Sequence, residues 1–250
     1  MKAMILAAGL GTRLRPLTND RPKALVEVVG RTMLEITLTR LRDFGIREVI
    51  VNVHHFADMV VDYLKANGNF GMRIDVSRED VLLDTGGGLK KAAWFFLENS
   101  NSDEPFLLHN VDVVSTIDFR RMVHFHTEHQ ALATLAVQDR ETSRYLLFDD
   151  HQLLCGRRTG REGIAELVRP SQPTQALAFS GIHAISPRLL KMMTEEGAFS
   201  IISTYLRLVA QEERVLAFRS DGYHWRDLGR PENVEKAARD MTDGRSAAKL

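Results

Sequence analysis

The beginning of the chain constrains it most. There the apolar run 2–7 meets Gly9 inside LAAGLGTRLRPLT. A short apolar run that stops at glycine reads as a buried strand feeding a glycine-rich loop. Glycines at such a place let the backbone come close to an anion, and consecutive N–H groups make an anion-binding concavity. Arg13, Arg15, Arg21 and Lys23 follow. Together they can neutralise a triphosphate, and arginine grips phosphate oxygens in pairs. Two well-known phosphate loops do not fit. The string G-x-x-x-x-G-K-[ST] is absent. The fingerprint G-x-G-x-x-G has Leu14 at its last glycine, and the next strand ends in Asn52, Val53 and His54 rather than in an acid for a ribose.

Beyond the loop, Pro16 and Pro22 keep the backbone irregular. Thr32 can cap a helix in which Leu34, Leu38, Leu41 and Phe44 recur at helical spacing until Gly45 stops it. Strands over 48–53, 73–77, 105–110 and 133–138 then alternate with helices over 56–64, 90–97 and 119–129. That alternation predicts parallel strands with helices on their faces. The rhythm changes after residue 140. Residues 144–149 and 152–155 read as a hairpin around Asp149-Asp150-His151, and 176–185 as another strand. A helix opening at Pro187, a helix over 200–210, a strand over 215–219 and a helix opening at Pro231 complete the chain. The expected class is α/β: a Rossmann-like mixed, mainly parallel sheet flanked by helices, with a small β-rich insertion. No linker or repeat interrupts it, so 1–243 is expected to be a single domain and 244–250 a frayed tail.

Composition removes several function classes. Lys plus Arg and Asp plus Glu are both 33, so the basic excess of a duplex-binding domain is missing and no nucleic-acid partner is expected. The N-terminal apolar run is too short for a signal peptide or a membrane span, so no membrane partner and a cytoplasmic location are expected. The one cysteine, Cys155, rules out a disulfide framework or a cysteine zinc site. His54, His55, His109, His124, His126 and His129 read as packing or surface residues, since i and i+2 on a helix do not meet. The sequence leaves the oligomeric state open, a homo-oligomer included.

Two acids stand out because of where they fall. Asp112 ends PFLLHNVD, and Asp227 lies in WRDLG. Parallel strands present their ends on one rim, where ligands bind. Mg²⁺ asks for one or two carboxylates plus phosphate oxygens. Their spacing does not reveal whether the two acids converge. The segment EDVLLDTGGGL, 79–89, suggests a glycine-rich approach to a flat ligand or an anion at a helix start.

LAAGLGTRLRPLT followed by PKAL resembles the signature of the sugar-phosphate nucleotidyltransferases, the family of mannose-1-phosphate guanylyltransferases, glucose-1-phosphate thymidylyltransferases and N-acetylmuramate-1-phosphate uridylyltransferase. The resemblance runs through essentially the whole chain. It implies Mg²⁺-dependent transfer of a nucleotidyl group from a nucleoside triphosphate to a sugar 1-phosphate, with Arg13, Lys23, Asp112 and Asp227 as the catalytic group. It implies that Ala8, Gly9, Gly11, Thr12 and Arg13 bind the triphosphate, that Lys23 acts on the phosphates, and that Asp112 and Asp227 hold the Mg²⁺. Asn110, the amides of Gly86 and Gly87, and Glu79 would contact the nucleotide. Arg169, Ser180 and Gly181 would contact the sugar phosphate, which makes the β-rich insertion the sugar-binding part. There are two departures. Val111 stands where the family has glycine and is expected to narrow the space beside the metal. Val168 and Arg169 replace the acid and lysine of E-K-P. The triple glycine and the N-x-D form resemble the uridylyltransferase branch, with an N-acetylmuramate- or hexose-1-phosphate as acceptor. Guanylyl transfer to mannose- or heptose-1-phosphate is the alternative, and a non-catalytic nucleotide-sugar-binding regulator is the alternative of another class.

Overall fold

The structure, a computed structural model, describes residues 1–98 and 103–242, the side chains of 241 and 242 excepted; the tail 244–250 lies outside these residues. Among them a ten-stranded sheet forms the frame. Its order is Ala165–Leu167, Leu154–Thr159, Arg144–Phe148, Gln175–Ile185, Phe106–Asn110, Lys2–Leu6, Glu48–Val53 and Arg73–Arg78. Ala133–Gln138 lies on the other side of Gln175–Ile185, and Val215–Arg219 pairs with it in parallel. The half around Lys2–Leu6 is parallel, and Gln175–Ile185 runs antiparallel to its neighbours. The mixed α/β sheet therefore matches the sequence expectation.

The strands read as unbroken apolar runs because both faces are covered. Alternate residues serve opposite faces. Ala3, Ile5, Val49 and Val51 pack with Leu34, Leu38 and Leu41 of the helix Met33–Phe44. Met4 and Ile50 pack on the other face with Leu89, Phe95 and Tyr205. The cap and stop of that first helix are as read. Thr32 Oγ1 accepts the Glu35 amide at 3.0 Å, and Gly45 takes φ 106°.

Three local readings change. The triple glycine does not precede a helix but lies inside one, Asp84–Lys91, and the segment expected as one helix over 90–97 breaks at Ala92. A Cβ on Gly86 would stand 2.3 Å from the Phe199 ring, one on Gly87 2.4 Å from the Gly197 carbonyl oxygen, and one on Gly88 2.7 Å from Asn52 and Glu79. The glycines thus let this helix pack flush against the 197–199 turn and the sheet rim. The insertion gains an edge strand, Ala165–Leu167, paired with Leu154–Thr159. Two three-residue strands too short for periodicity to reveal, Val113–Ser115 and Trp225–Asp227, pair antiparallel.

Three imidazoles are buried in the core as packing residues. Burial, helped by Arg40, holds His109 down to about 4. Burial with Arg188 does the same for His126, and burial with His109 takes His183 to about 3. The unfolded chain binds these protons near pH 6.5 while the folded chain does not, so the stability they contribute is present at pH 7 and lost as pH falls from 6.5 towards 4. The urea midpoint is expected to decline already between pH 6.5 and 5, and His126→Asn should flatten that slope. Gly86→Ala and Gly87→Ala should each lower unfolding free energy by about 1–3 kcal/mol in urea titrations, the usual range for overpacking. Gly222, with open space around it, should accept alanine nearly neutrally.

Candidate active site

The C-terminal ends of the parallel strands share one rim. The loop after Lys2–Leu6 is set there by the sequence itself. Gly11 takes φ 65°, and its carbonyl accepts the Leu14 amide at 2.8 Å and Thr18 Oγ1 at 2.8 Å. Leu14 is fully buried, which turns its exposed neighbours Thr12 and Arg13 outward. So the residue that broke the dinucleotide fingerprint is the anchor of this loop. Asn52 braces it from the next strand, accepting the Ala7 amide at 2.7 Å. Ala8 is buried beneath the loop, and Gly9 lies under the Lys23 ammonium, which would be 3.9 Å from a Cβ there.

The two acids converge. Trp225–Asp227 pairs with Val113–Ser115, so that Asp227 lies opposite Val113, and the Leu228 amide donates to the Asp112 carbonyl at 2.7 Å. Arg40 supports the same strand, donating to Ser115 Oγ at 2.9 Å and to the Ile117 carbonyl. Gly229 marks the meeting point. A Cβ on it would stand 2.7 Å from Asp227 Oδ1, 2.9 Å from Arg13 Nη2 and 3.2 Å from Asp112 Oδ2. The Gly229 amide fixes Asp227 Oδ1 at 2.5 Å, and Lys23 Nζ bonds Asp112 Oδ2 at 2.7 Å. Arg13, Lys23, Asp112 and Asp227, read from three separated parts of the chain, therefore form one cluster. Hard oxygens from two carboxylates suit a divalent cation that takes its other ligands from phosphate and water. Among the described residues no group of three or more His, Cys, Asp or Glu could hold a metal.

Several of the expected residues have partners within the protein. Val111 turns its side chain into the core rather than into the acid cluster, with its amide on the Leu6 carbonyl at 3.2 Å. Glu79 is buried with both oxygens engaged, one by Asn52 Nδ2 at 2.7 Å and the other by the Leu83 amide at 2.9 Å. It braces the turn into the glycine helix. The Gly86 and Gly87 amides both donate to the Phe199 carbonyl, at 2.9 and 3.3 Å. Arg169 bonds the buried Asp149 at 2.9 Å, at the far end of the insertion. Arg21 pairs with Asp20 at the surface. Asn110 and Gly181 do meet, because a Cβ on Gly181, at φ 75°, would stand 2.8 Å from Asn110 Nδ2. Ser180 is fully buried next to them, and its carbonyl accepts Trp225 Nε1 at 2.8 Å.

Sequence reasoning missed Gly229, Asn52 and Arg140. Gly229 was in view as the last letter of WRDLG. Asn52, a polar residue ending an apolar strand, signals a backbone brace. Arg140, which stacks on Trp225 with its guanidinium carbon 3.7 Å from the ring centre, carries no motif. Gly229→Ala is expected to push Asp227 and Arg13 apart and to weaken Mg²⁺-dependent triphosphate binding at least ~10-fold, or about 1.4 kcal/mol, by isothermal titration. Thermal stability should change little, since the crowded atoms are side-chain ends.

Known proteins resemble this chain in sequence and in fold. The family model described as nucleotidyl transferase matches residues 2–244. An N-acetylmuramate α-1-phosphate uridylyltransferase of Caulobacter vibrioides is 35% identical over 237 residues, which span 92% of each chain. A mannose-1-phosphate guanyltransferase beta-B of Xenopus laevis is 33% identical over 236 residues, 93% of this chain but 62% of that longer protein. HddC of Yersinia pseudotuberculosis, solved with GMP-PN, superposes with a TM-score of 0.74 at 22% identity, over 96% of this chain and 99% of that one.

Proposed function

The chain belongs to the nucleotidyl transferase family and is an enzyme of the sugar-1-phosphate nucleotidyltransferase kind, and from that premise we propose that it transfers a uridylyl group from UTP to an N-acetylmuramate- or hexose-1-phosphate in a Mg²⁺-dependent reaction. The observation that carries the chemistry is the convergence of Arg13, Asp112 and Asp227 on Gly229, with Lys23 bonded to Asp112. The choice of base and sugar rests on the Caulobacter relative, whose length the chain nearly matches.

The acceptor's phosphate oxygen attacks the α-phosphorus in line. A new P–O bond forms, the bond to the bridging oxygen of the β-phosphate breaks, and pyrophosphate leaves. A phosphate monoester, with its second pKa about 6, is mostly ionised at neutral pH, so the acceptor needs no general base. This explains a site built from cations and carboxylates rather than from a serine–histidine pair. The loop amides after Ala8 and the guanidinium of Arg13 bind and orient the triphosphate. Lys23, paired with Asp112, stands at the edge of the loop where its ammonium can pass to a phosphate oxygen. Asp112 and Asp227 would hold Mg²⁺, which supplies charge neutralisation to the phosphate oxygens. Asn110, beside Gly181, lines the same rim.

Pyrophosphate release from four nucleoside triphosphates against a panel of sugar 1-phosphates tests this reading. UTP with N-acetylmuramate α-1-phosphate should be fastest. Fastest turnover with GTP and mannose 1-phosphate would replace it by the guanylyltransferase alternative. Silence with every pair would favour a non-catalytic nucleotide-sugar binder. Asp227→Asn should lower kcat at least ~100-fold, about 2.7 kcal/mol of barrier. A rate near that of the parent enzyme at saturating Mg²⁺ would remove Asp227 from the metal site.

A further inference from the structure

Arg140 follows the buried strand Ala133–Gln138, which runs parallel to Phe106–Asn110 with only Gln175–Ile185 between them. It therefore emerges on the same rim as Asp112, from the side opposite the Gly9 loop. Its guanidinium carbon lies over the Trp225 indole, 3.7 Å from the ring centre, and its Nη2 donates to the Phe179 carbonyl at 2.8 Å. Trp225 in turn donates Nε1 to the carbonyl of the next residue, Ser180, at 2.8 Å. Both halves of the stack thus hang from consecutive carbonyls of one strand. A cation held this rigidly has already lost most of its rotamer freedom.

What Arg140 lacks is a counter-ion. Among the described residues it makes no ion pair, and its Nε is buried without an acceptor. Burial lowers the affinity of this guanidinium for its proton, while the field of Asp227, two residues beyond Trp225, works the other way. A partly buried cation without a counter-ion is costly and favours an arriving anion. The other basic candidate for the acceptor, Arg169, is already neutralised by Asp149.

We propose that Arg140, seated on Trp225, binds the phosphate of the acceptor sugar 1-phosphate and orients it for attack, while Arg13 and Lys23 hold the triphosphate from the other side of Asp112. The inference rests on the nucleotidyl-transfer reading above and deepens it by assigning the acceptor's anchor. In-line displacement requires the two phosphate groups to meet from opposite sides, and the rim order of Arg140, Gly181, Asp112 and the Gly9 loop provides such sides. The planar fork of arginine matches two oxygens of a phosphate monoester.

The test measures binding and turnover separately. In a Trp94→Phe background the only indole left is Trp225, which reports on the stack. N-acetylmuramate α-1-phosphate, mannose 1-phosphate and inorganic phosphate are titrated in the presence of Mg²⁺ against parent, Arg140→Met and Arg140→Lys proteins. Steady-state pyrophosphate release is followed for whichever sugar 1-phosphate turns over. The expected result is a change in Trp225 emission with the sugar 1-phosphate in the parent. In Arg140→Met, the KM for the sugar 1-phosphate should rise at least ~30-fold while that for the nucleoside triphosphate stays within about 3-fold. Arg140→Lys, which keeps the charge and loses the fork, should fall between the two, and it carries the test should the methionine variant fail to fold. Equal sugar-phosphate affinity in parent and variant, or equal loss for both substrates, would make Arg140 a structural staple and overturn the inference while leaving the nucleotidyl-transfer reading intact. No binding and no turnover with any sugar 1-phosphate in the parent would overturn both.

Discussion

The pairing of two three-residue strands, Val113–Ser115 and Trp225–Asp227, is the interaction on which the site depends. Each is too short to be stable alone. They are held because the Leu228 amide bonds the Asp112 carbonyl, Arg40 ties Ser115 and Ile117 to the first helix, and Trp225 hangs from the Ser180 carbonyl. This small ribbon brings one carboxylate to the other at the rim of the large sheet. It also delivers Trp225, and with it the seat for Arg140. Loss of the ribbon would separate the two acids even if every other element stayed in place.

Close approach is the second theme, and glycine is how this chain achieves it. Gly229 leaves room for two carboxylates and a guanidinium to crowd one point. Gly181, in a left-handed conformation, lets Asn110 reach the strand beside it. The row Gly86 to Gly88 instead serves packing, because any Cβ there would enter the 197–199 turn or the Asn52–Glu79 pair. A glycine cluster thus means close contact, but the partner can be protein as easily as ligand.

Charge pairing divides the basic residues in the same way. Arg21 and Arg169 looked like phosphate ligands but are neutralised by Asp20 and Asp149. Lys23 is paired too, but with a proposed metal ligand, so its partner belongs to the site. Arg13 points into the acid cluster, and Arg140 lies on an aromatic face without a carboxylate of its own. Which cations are available to phosphate depends on which anions the fold has already placed beside them.

The sequence by itself determined the elements whose signals are local. The alternation of apolar runs and amphipathic helices specified the α/β sheet. Thr32 and Gly45 bounded the first helix. The glycine loop with its following cations marked the rim proposed to bind phosphate, because period, caps and loop chemistry act within a few residues. WRDLG and HNVD marked two acids without saying that they meet. Only the tertiary structure decided that convergence, the burial of Val111 in the core, the commitment of Glu79 and of the Gly86 and Gly87 amides to packing, and the contrast between Arg169 and Arg140. The physical reason is common to all of these. Whether a carboxylate, an amide or a guanidinium is free to act depends on the partner that saturates it. Those partners come from strands and turns far away in the chain, brought near only when the sheet closes its register.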